Sequence, residues 1–383
     1  MRLLVLTQDV GVSAPGIVFE RILSELTLQC DVDIIACAYQ PSCALHPRHV
    51  QIIKYPRIHY RIKNLLMSIF HTDLVSCFLV SKIRLVTKEY DAVVSFCSSG
   101  YFFGAIAGHY IQKRLNRFWA CYCVDAVPAP LGWSSNDAFY RSSIRFARRF
   151  FSQVDLFASV NKEMLEYEVS LLEENSSRSQ LVLYPPTQMD HMITLSVPSG
   201  PFCFLYTGNI YGLRTGRYLV RAFEQLCGTE NNVELVFVGS IGNEVEDLVA
   251  KCSPLVKEKI HIFPRMKDLA PFYNRSSVLI DIDADIDNDV FLSSKMSSYI
   301  TYNRPIICET GNNSPSRRLF AGIPSIIQCH HDVKELQESM LYCMRHFDSF
   351  DYSDRTEIIK QMNKKTVAEL LHSSILQHVC SIR

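Results

Sequence analysis

The sequence predicts an α/β protein with two domains, each built on a mostly parallel sheet. Short apolar runs rich in strand-forming residues alternate with longer segments of helical periodicity along the chain. Most of these runs lack polar alternation, which is typical of parallel strands buried on both faces. Residues 186–201 have little periodicity and several prolines, which indicates a linker between two series of such units.

The first series occupies residues 1–187. Its strands are predicted at residues 3–7, 32–37, 92–96, 118–124, 156–160 and 181–184, with a helix at residues 17–28. The second series has strands predicted at residues 202–207, 233–238, 259–263, 278–282, 305–308 and 325–328. We therefore expect domains at residues 1–187 and 202–354, with a linker at residues 188–201. A C-terminal helix at about residues 355–383 is a candidate to pack back on the first domain.

The composition of the chain is that of a globular protein, and its charge argues against one class of function. The chain has 383 residues, of which 48% are hydrophobic and 20% are charged, as in an ordinary globular protein. Lys and Arg total 39, and Asp and Glu also total 39, so the formal net charge is zero. This balance argues against a dedicated nucleic-acid binder, which needs an excess of basic residues. The charge is nevertheless uneven, because residues 48–88 hold eight Lys or Arg and one Asp.

The 14 cysteines are scattered and do not form the framework of a small secreted disulfide protein. Cys121 and Cys123 lie two residues apart in an apolar run, so on a strand they share a face. The N-terminus becomes polar too early for a signal peptide, and residues 65–80 are too short and too polar for a membrane span. We therefore expect a reduced, cytoplasmic protein without a transmembrane helix.

Residues 204–214 form the most informative stretch. A strand runs into a turn containing Gly208, Asn209 and Gly212, and Arg214 is expected to open the following helix. Glycines let backbone N–H groups approach a phosphate, a helix start favours an anion, and arginine can bind phosphate with two hydrogen bonds. A plain turn between strand and helix with a surface arginine remains an alternative.

Residues 289–307 form a second such stretch. Ser293 or Ser294 is suited to cap a helix that begins near Lys295, just after the strand predicted at residues 278–282. A capped helix start with a lysine is a second anion-binding element. The alternative is a capped helix with a solvated lysine.

Taken together, the two stretches resemble the C-terminal domain of the retaining glycosyltransferases of family 4, which have the GT-B fold. The resemblance rests on residues 206–211 with Arg214, residues 235–239, 261–265 and 278–281, and Ser294-Lys295 followed by Tyr299 and Arg304-Pro305. It implies two Rossmann-like domains facing each other across a central cleft, with an acceptor-binding N-terminal domain and a donor-binding C-terminal domain.

The resemblance also implies positions for a nucleotide-sugar donor. Gly208, Asn209, Arg214 and Lys295 would lie near its diphosphate, with Ser294 beside them. Arg265 and Met266 would lie by its base. Family members often carry two glutamates eight positions apart, and here Val290 and Ser298 occupy those positions, with Asp289 adjacent. Ser298 could bond a ribose hydroxyl more weakly than a carboxylate does. The choice among UDP, GDP and ADP therefore stays open.

Five aspartates alternate along residues 281–289. Clustered carboxylates suit a divalent metal, but we expect the end of a strand and a solvated loop, in which Asp287 or Asp289 touches donor-sugar hydroxyls. We expect no metal and no cofactor, because Arg214 and Lys295 can neutralise the diphosphate. We also expect the paired histidines His330 and His331 to lie on the surface.

In the N-terminal half, Asp125 follows an apolar strand and precedes a proline-rich loop. The end of a strand faces a ligand in open α/β sheets, so Asp125 is the candidate catalytic residue, orienting the donor sugar or accepting a proton from the acceptor. A carboxylate that caps a turn is the alternative. Gly16, in the first loop, is a candidate for backbone approach to the donor phosphate.

Basic and aromatic residues are interleaved before residues 65–70. Lys54, Arg57, Arg61 and Lys63 are the cations of this segment, and a second basic–aromatic helix is predicted around residues 141–151. Such segments suit an anionic membrane surface or a lipid diphosphate. The alternative, favoured for the second segment, is that its apolar face packs on the sheet.

The resemblance implies a metal-independent glycosyltransferase of hexosyltransferase type that retains anomeric configuration. The acceptor would be a hydroxyl of a lipid-linked or growing bacterial surface polysaccharide, such as a capsule or O-antigen, at the inner face of the membrane. Two alternatives remain: another GT-B enzyme, such as an epimerase or phosphorylase, and a non-catalytic nucleotide-sugar-binding protein of a polysaccharide assembly machine.

Overall fold

The structure, a computed structural model, describes residues 1–133, 137–172 and 178–382. It contains two parallel sheets, of seven and six strands, with flanking helices, which confirms the predicted α/β class. The chain divides into two compact units, residues 1–188 with 361–383 and residues 189–360. We call them the N-terminal unit and the C-terminal unit.

The N-terminal unit is built on a seven-stranded sheet in the order β3-β2-β1-β4-β5-β6-β7. Its strands are β1 (Arg2–Val10), β2 (Asp31–Tyr39), β3 (His49–Ile52), β4 (Ala92–Cys97), β5 (Phe118–Cys123), β6 (Leu156–Ser159) and β7 (Ser179–Val182). Its first helices are α1 (Ala14–Gln29), α2 (Tyr60–Phe70), α3 (Leu74–Val80), α4 (Phe103–Leu115), α5 (Asp137–Phe151) and α6 (Lys162–Ser170). The strand order reverses between β1 and β4, and open α/β sheets bind ligands outside the carboxyl ends of strands at such a point.

The C-terminal unit is built on a six-stranded sheet in the order β10-β9-β8-β11-β12-β13. Its strands are β8 (Phe202–Thr207), β9 (Val233–Val238), β10 (Ile260–Phe263), β11 (Val278–Ile282), β12 (Ile306–Glu309) and β13 (Ile326–Cys329). Its helices are α7 (Arg217–Leu226), α8 (Gly242–Lys251), α9 (Pro254–Lys257), α10 (Ala270–Arg275), α11 (Met296–Tyr299), α12 (Pro315–Leu319) and α13 (Val333–His346), followed by 3₁₀ turns at Phe347–Ser349 and Tyr352–Arg355. Here the strand order reverses between β8 and β11.

The last helices are α14 (Thr356–Gln361) and α15 (Lys364–Ile382). The second of these packs against α1 and β5 in the N-terminal unit. Lys364 Nζ lies 2.9 Å from Glu25 Oε1, and the His378 ring stacks on Phe118 with a centroid separation of 5.1 Å. An ion pair to α1 and a ring contact to β5 therefore attach the C-terminal helix to the N-terminal unit.

The apolar runs form strands because they are buried on both faces. Each residue of β4, β5, β9 and β11 is buried. Strands β8, β9 and β11 begin and end at the residues expected from the sequence. Edge strand β3 was not predicted, because its four residues are exposed or half-buried and form no continuous apolar run.

Among the described residues, no single helix has the length and apolar character needed to cross a membrane. Helices α2 and α3 pass that test only as a pair, with an 83° bend between them.

Candidate functional site

The carboxyl ends of β8 and β9 are held together by glycines. Gly208 N–H donates to Val238 O at 2.8 Å, and both Gly208 and Gly239 have a positive φ. A Cβ atom on Gly239 would lie 2.0 Å from Gly208 O. The loop after β8 therefore needs Gly239 for close backbone contact, and the space beside Gly208 is occupied by the Lys295 side chain, 3.2 Å from a Cβ position.

Lys295 lies beneath this loop, with its side chain only 16% exposed. Its Nζ atom is 3.0 Å from Asp281 Oδ1 and 5.1 Å from the centroid of the Tyr206 ring. Burial lowers the pKa of Lys295, but Asp281 more than offsets this effect, so the pKa stands above its ordinary value. Lys295 is therefore a permanently charged cation at the point where the strand order reverses.

Arg214 is the second cation of the site, and we call Arg214 and Lys295 the cation pair. Arg214 NH2 lies 3.5 Å from Asp283 Oδ1, and the guanidinium is 5.6 Å from the Tyr211 ring centroid. Burial opposes its charge, but Asp283 raises the pKa of Arg214 further above the ordinary value. The expectation that Arg214 opens a helix is wrong, because α7 begins three residues later at Arg217.

The five alternating aspartates follow from the end of a strand, as expected, but three of them are buried, which corrects the expectation that their loop is solvated throughout. Asp281, Asp283 and Asp289 are buried and form what we call the acid trio, while Asp285 and Asp287 are exposed. Asp281 and Asp283 lie at the end of β11, where they face the cation pair. Two mostly buried cations thus lie beside three buried carboxyl groups, so the charge of the cation pair is compensated.

Each member of the acid trio accepts a hydrogen bond from its surroundings. Ser293 Oγ donates to Asp281 at 2.8 Å, Ser314 Oγ donates to Asp283 at 3.0 Å, and Phe291 N–H donates to Asp289 at 3.0 Å. The second oxygens of Asp281 and Asp289 are buried and have no hydrogen-bond partner among the described residues. Each of these oxygens therefore has hydrogen-bonding capacity that the described residues leave unused.

Burial disturbs the titration of two of these carboxyl groups. It raises the pKa of Asp283, although Arg214 opposes the shift. Burial, reinforced by the charge of Asp283, raises the pKa of Asp289 to about 8. Asp289 therefore carries its proton near neutral pH and can donate a hydrogen bond.

Helix α11, which follows Lys295, is bonded to the end of β8 through Tyr299. The Tyr299 hydroxyl lies 2.9 Å from both Thr207 N and Thr207 Oγ1, and accepts a hydrogen bond from the backbone N–H. The expectation that Ser293 or Ser294 caps this helix is wrong. Lys295 occupies the cap position, and its side chain makes no hydrogen bond to the backbone of the helix start. The Ser293 hydroxyl donates to Asp281 instead. Ser294 is exposed and Ser298 is half-buried on the same short segment.

A pocket of about 440 Å³ adjoins the site at the carboxyl ends of β9 and β10. It is lined by Gly239, Ser240, Glu246, Ile262, Phe263, Pro264 and Arg265. Asn209 reaches its margin, because Asn209 Oδ1 accepts a hydrogen bond from Ser240 N–H at 3.2 Å. Met266 follows as an exposed side chain. The donor residues predicted after β8, β10 and β11 thus lie along one edge of the sheet.

Asp125 lies at the carboxyl edge of the other sheet, two residues beyond β5. Its Oδ2 atom accepts a hydrogen bond from Ser98 Oγ at 2.6 Å, and Ser98 follows the neighbouring strand β4. Asp9, at the end of β1, is a second carboxylate of this edge: after burial, Asp9 and Asp125 both raise the pKa of Tyr101. The sequence did not single out Asp9, Ser98 or Tyr101, since only the strand order brings them together.

Gly16 is buried beside Asp9. A Cβ atom on Gly16 would lie 1.6 Å from Asp9 Oδ1, and the Gly16 N–H donates to Ser13 Oγ at 3.1 Å. In the structure, Gly16 thus makes room for a carboxylate of the protein, and its N–H is the group that Ser13 caps at the start of helix α1.

Two residues that were expected at the surface, Lys63 and His331, have side chains that are turned inward. Lys54, Arg57 and Arg61 are exposed, but Lys63 is turned inward, where it donates to Gly100 O and lies 3.8 Å from Asp73. Lys63 therefore does not belong with the predicted surface cations. His331, expected at the surface, is buried with its Nδ1 atom 2.6 Å from Glu309 Oε1.

Comparison with solved structures identifies the fold of this chain. No family model and no curated protein matches the chain. Among solved structures, HepE (Alr3699) of Anabaena in complex with UDP superposes with a TM-score of 0.69 at 11% identity, covering 98% of this chain and 100% of that one. The chain has the GT-B fold.

Two further GT-B structures agree over their whole length. The lipopolysaccharide glycosyltransferase WaaG has a TM-score of 0.63 at 13% identity and covers 98% of both chains. The lipopolysaccharide outer core galactosyltransferase WaaB has a TM-score of 0.62 at 10% identity, covering 99% of this chain and 100% of that one. HepE was also solved in complex with UDP-glucose. At such low identity the comparisons establish the fold, and the chemistry has to come from the site.

Proposed function

We propose that the protein is a glycosyltransferase that moves a sugar from a nucleotide diphosphate-sugar to a hydroxyl acceptor. The observation that carries this proposal is the cation pair, held by Asp281 and Asp283 at the carboxyl ends of two adjacent strands in a GT-B fold. The UDP and UDP-glucose complexes of HepE, a protein of the same fold, support it.

The chemistry follows from where charge develops. As the bond between sugar and diphosphate breaks, negative charge grows on the leaving diphosphate and positive charge grows on the sugar. A preorganised arginine and lysine stabilise the first of these, and removing a donor of this kind typically costs 10²–10³ in rate, as in oxyanion holes. The buried carboxylates hold both cations in place before the donor binds. We therefore propose transfer without a metal ion and, by resemblance, with retention of configuration.

The remaining predicted residues receive roles within this proposal. Asp289, protonated near neutral pH, donates a hydrogen bond to a hydroxyl of the donor sugar, and Ser298 bonds a ribose hydroxyl. The pocket beside Arg265 and Met266 takes the base. In the N-terminal unit, Asp125 orients the reacting sugar or accepts the acceptor's proton, and its bond from Ser98 fixes the carboxylate for either task.

The first test is a panel of nucleotide diphosphate-sugars, measured by thermal unfolding. A ligand that binds only the folded state raises its melting temperature, so one donor of the panel is expected to stabilise the protein, and transfer to follow when acceptor is added. No stabilisation by any member would contradict the proposal. Epimerisation of the donor without acceptor would favour another GT-B enzyme, and binding without turnover would favour a non-catalytic nucleotide-sugar-binding protein.

We further propose that the acceptor is lipid-linked and that the N-terminal unit meets an anionic membrane, at its cytoplasmic face. Six large apolar side chains are exposed on α2 and α3: Ile62, Leu65, Ile69, Phe70, Leu74 and Phe78. Monomeric surfaces seldom expose such a group unless it binds something. Lys54, Arg57, Arg61 and Lys82 are exposed in the same segment, and its single acidic residue, Asp73, is buried. We call these side chains the basic apolar surface.

The second basic helix does not extend this surface with apolar side chains. In α5, Phe146, Phe150 and Phe151 are buried, so its aromatic face packs inside the unit, as the alternative interpretation expected. Its arginines are exposed, and Arg145 bonds His71 at the end of α2 at 2.6 Å. Apolar contact with a membrane therefore depends on α2 and α3.

The membrane proposal predicts binding to vesicles that contain phosphatidylglycerol. Replacing Leu65 and Ile69 by serine is expected to weaken this binding at least tenfold, since burying each side chain is worth about 1.5–3 kcal/mol, and added salt should weaken it further. Cosedimentation with vesicles measures both effects. Leu255→Ser, at an equally exposed leucine of the C-terminal unit, is the control. Equal binding by the wild type and the double variant would contradict the proposal.

A further inference from the structure

Three cysteine thiols meet inside the N-terminal unit. Cys97 ends β4, and its register partner on β5 is Cys123, while Cys121 lies two residues earlier on the same face. Each sulfur lies within 4.8 Å of the other two, and the sulfurs of Cys97 and Cys121 are 3.6 Å apart. All three side chains are at most 1% exposed. We call these residues the thiol cluster.

The surroundings of the thiol cluster are polar rather than purely aliphatic. Glu168 of α6 is buried, and it accepts hydrogen bonds from Ser159 Oγ at 2.5 Å and from Val127 N–H at 3.0 Å. Glu168 therefore places a buried, hydrogen-bonded carboxyl group beside the cluster.

We propose that Cys97, Cys121 and Cys123 bind one thiophilic d¹⁰ metal ion, of the Zn²⁺ or Cu⁺ class, in a structural role. Metal–sulfur bonds of about 2.3 Å place the sulfurs of a shared ion roughly 3.8–4.0 Å apart, which the cluster reaches with small rotamer changes. Thiolate sulfur favours these ions over Mg²⁺, Ca²⁺ and Mn²⁺. Among the described residues, this is the one group of three or more potential ligands with such spacing.

The balance of the reaction is simple. Three thiol protons leave for solvent, three sulfur–metal bonds form, and no electron is transferred. Zn²⁺ with three thiolates retains one negative charge, and Cu⁺ retains two. Because the cluster is enclosed, the ion enters during folding or through local opening of the sheet.

The thiol cluster lies next to the hydrogen bond between Ser98 and Asp125, so a bound ion would affect that bond. Cys97 directly precedes Ser98, and Cys123 lies two residues before Asp125. A bound ion would therefore fix the carboxyl ends of β4 and β5, on which the Ser98–Asp125 hydrogen bond depends. The inference stands on the cysteines alone and does not require the proposed transfer reaction.

The test uses the full chain, reduced and stripped of metal, in a Cys43→Ser/Cys380→Ser background that removes the two exposed thiols. Zn²⁺ and Cu⁺ are added in separate arms during refolding, and bound metal is counted after gel filtration. We expect one ion per chain in at least one arm, three sulfur ligands by X-ray absorption spectroscopy, and a melting temperature about 5–10 °C higher at hundredfold excess over Kd. Which arm binds identifies the ion.

Variants complete the test. Cys97→Ala with Cys121→Ala should lose the bound ion and the thermal shift, whereas Cys203→Ala with Cys343→Ala, at buried cysteines of the C-terminal unit, should keep both. If the cluster variant does not fold, the sulfur count in the background protein decides alone. Less than half an ion per chain in both arms, a ligand shell without three sulfurs, or retention of the ion by a folded cluster variant would overturn the proposal.

Discussion

Replacing Arg214 or Lys295 by alanine is expected to lower kcat for sugar transfer by about 10²–10³-fold, which corresponds to about 3–4 kcal/mol of lost transition-state stabilisation. Both cations are mostly buried, at 12% and 16% side-chain exposure, so solvent would replace them poorly. Their effect should fall mainly on kcat, because the leaving diphosphate carries more negative charge in the transition state than in the bound donor. Steady-state kinetics with the donor found in the panel measures it.

The same substitutions also disturb the free protein. Removing Lys295 leaves Asp281 buried without its partner, and breaking a buried ion pair in this way typically costs about 3–5 kcal/mol of stability. A matched variant, Lys295→Met with Asp281→Asn, removes both charges and should regain most of that stability. If transfer by this double variant matched the wild type, Lys295 would be a structural residue and the mechanism would be wrong.

A surface control separates local from general effects. Arg217 begins α7 three residues after Arg214, is exposed, and has its guanidinium 4.6 Å from the Tyr218 ring centroid. Arg217→Ala should leave transfer within about twofold of the wild type, because surface substitutions away from buried features usually change free energies by less than about 0.5 kcal/mol. If Arg217→Ala lost as much transfer activity as Arg214→Ala, activity would depend on the total positive charge at this edge of the sheet. That result would contradict a specific role for the cation pair.

The positions of the strands were predictable because burial on both faces leaves a plain signal. Strands β8, β9 and β11 are short apolar runs bounded by glycine, proline or polar residues, and each matches its expected limits. Edge strand β3 gave no such signal, because a strand with exposed faces need not be apolar. The start of α7 was misplaced because the backbone turns once more at Arg214, whose N–H donates to Tyr211 O.

The cations of the candidate site were also predictable, but their partners were not. Arg214 and Lys295 each follow a strand end, where parallel sheets bind ligands. The alternating aspartates predicted a solvated loop, because carboxylates without partners are rarely buried in a protein interior. Asp281 and Asp283 are buried because the cation pair comes from elements that only the fold brings near them. Pairing of this kind depends on strand order, which local patterns do not contain.

Lys63 and the thiol cluster also show that contacts between distant segments cannot be predicted from local sequence patterns. In sequence, Lys63 resembles its exposed neighbour Arg61, and only Asp73 and Gly100, brought close by folding, turn it inward. For the cysteines, spacing did predict that Cys121 and Cys123 share a face, as β5 confirms. The third member, Cys97, became visible only when β4 paired with β5.

The acid trio has a measurable consequence for stability. The carboxyl group of Asp289 has a pKa of about 8 in the folded protein, mainly because of burial, whereas an unfolded aspartate titrates near 3.9. Between these two values the folded state holds a proton that the unfolded state has released. Stability therefore falls as pH rises from about 4 towards 8 and levels off above.

Asp289→Asn removes this titration while keeping a neutral side chain that can still accept the hydrogen bond from Phe291 N–H. Relative to the wild type, the variant is expected to gain stability as pH rises, by about 2–4 kcal/mol between pH values of about 5 and 8, at 1.36 kcal/mol for each unit of pKa difference. Guanidinium unfolding at both pH values measures the change. Asp285→Asn, at an exposed carboxylate of the same loop, should leave the pH slope unaltered. An equal slope in wild type and Asp289→Asn would show that the folded protein holds Asp289 ionised, and would remove its role as a hydrogen-bond donor to the sugar.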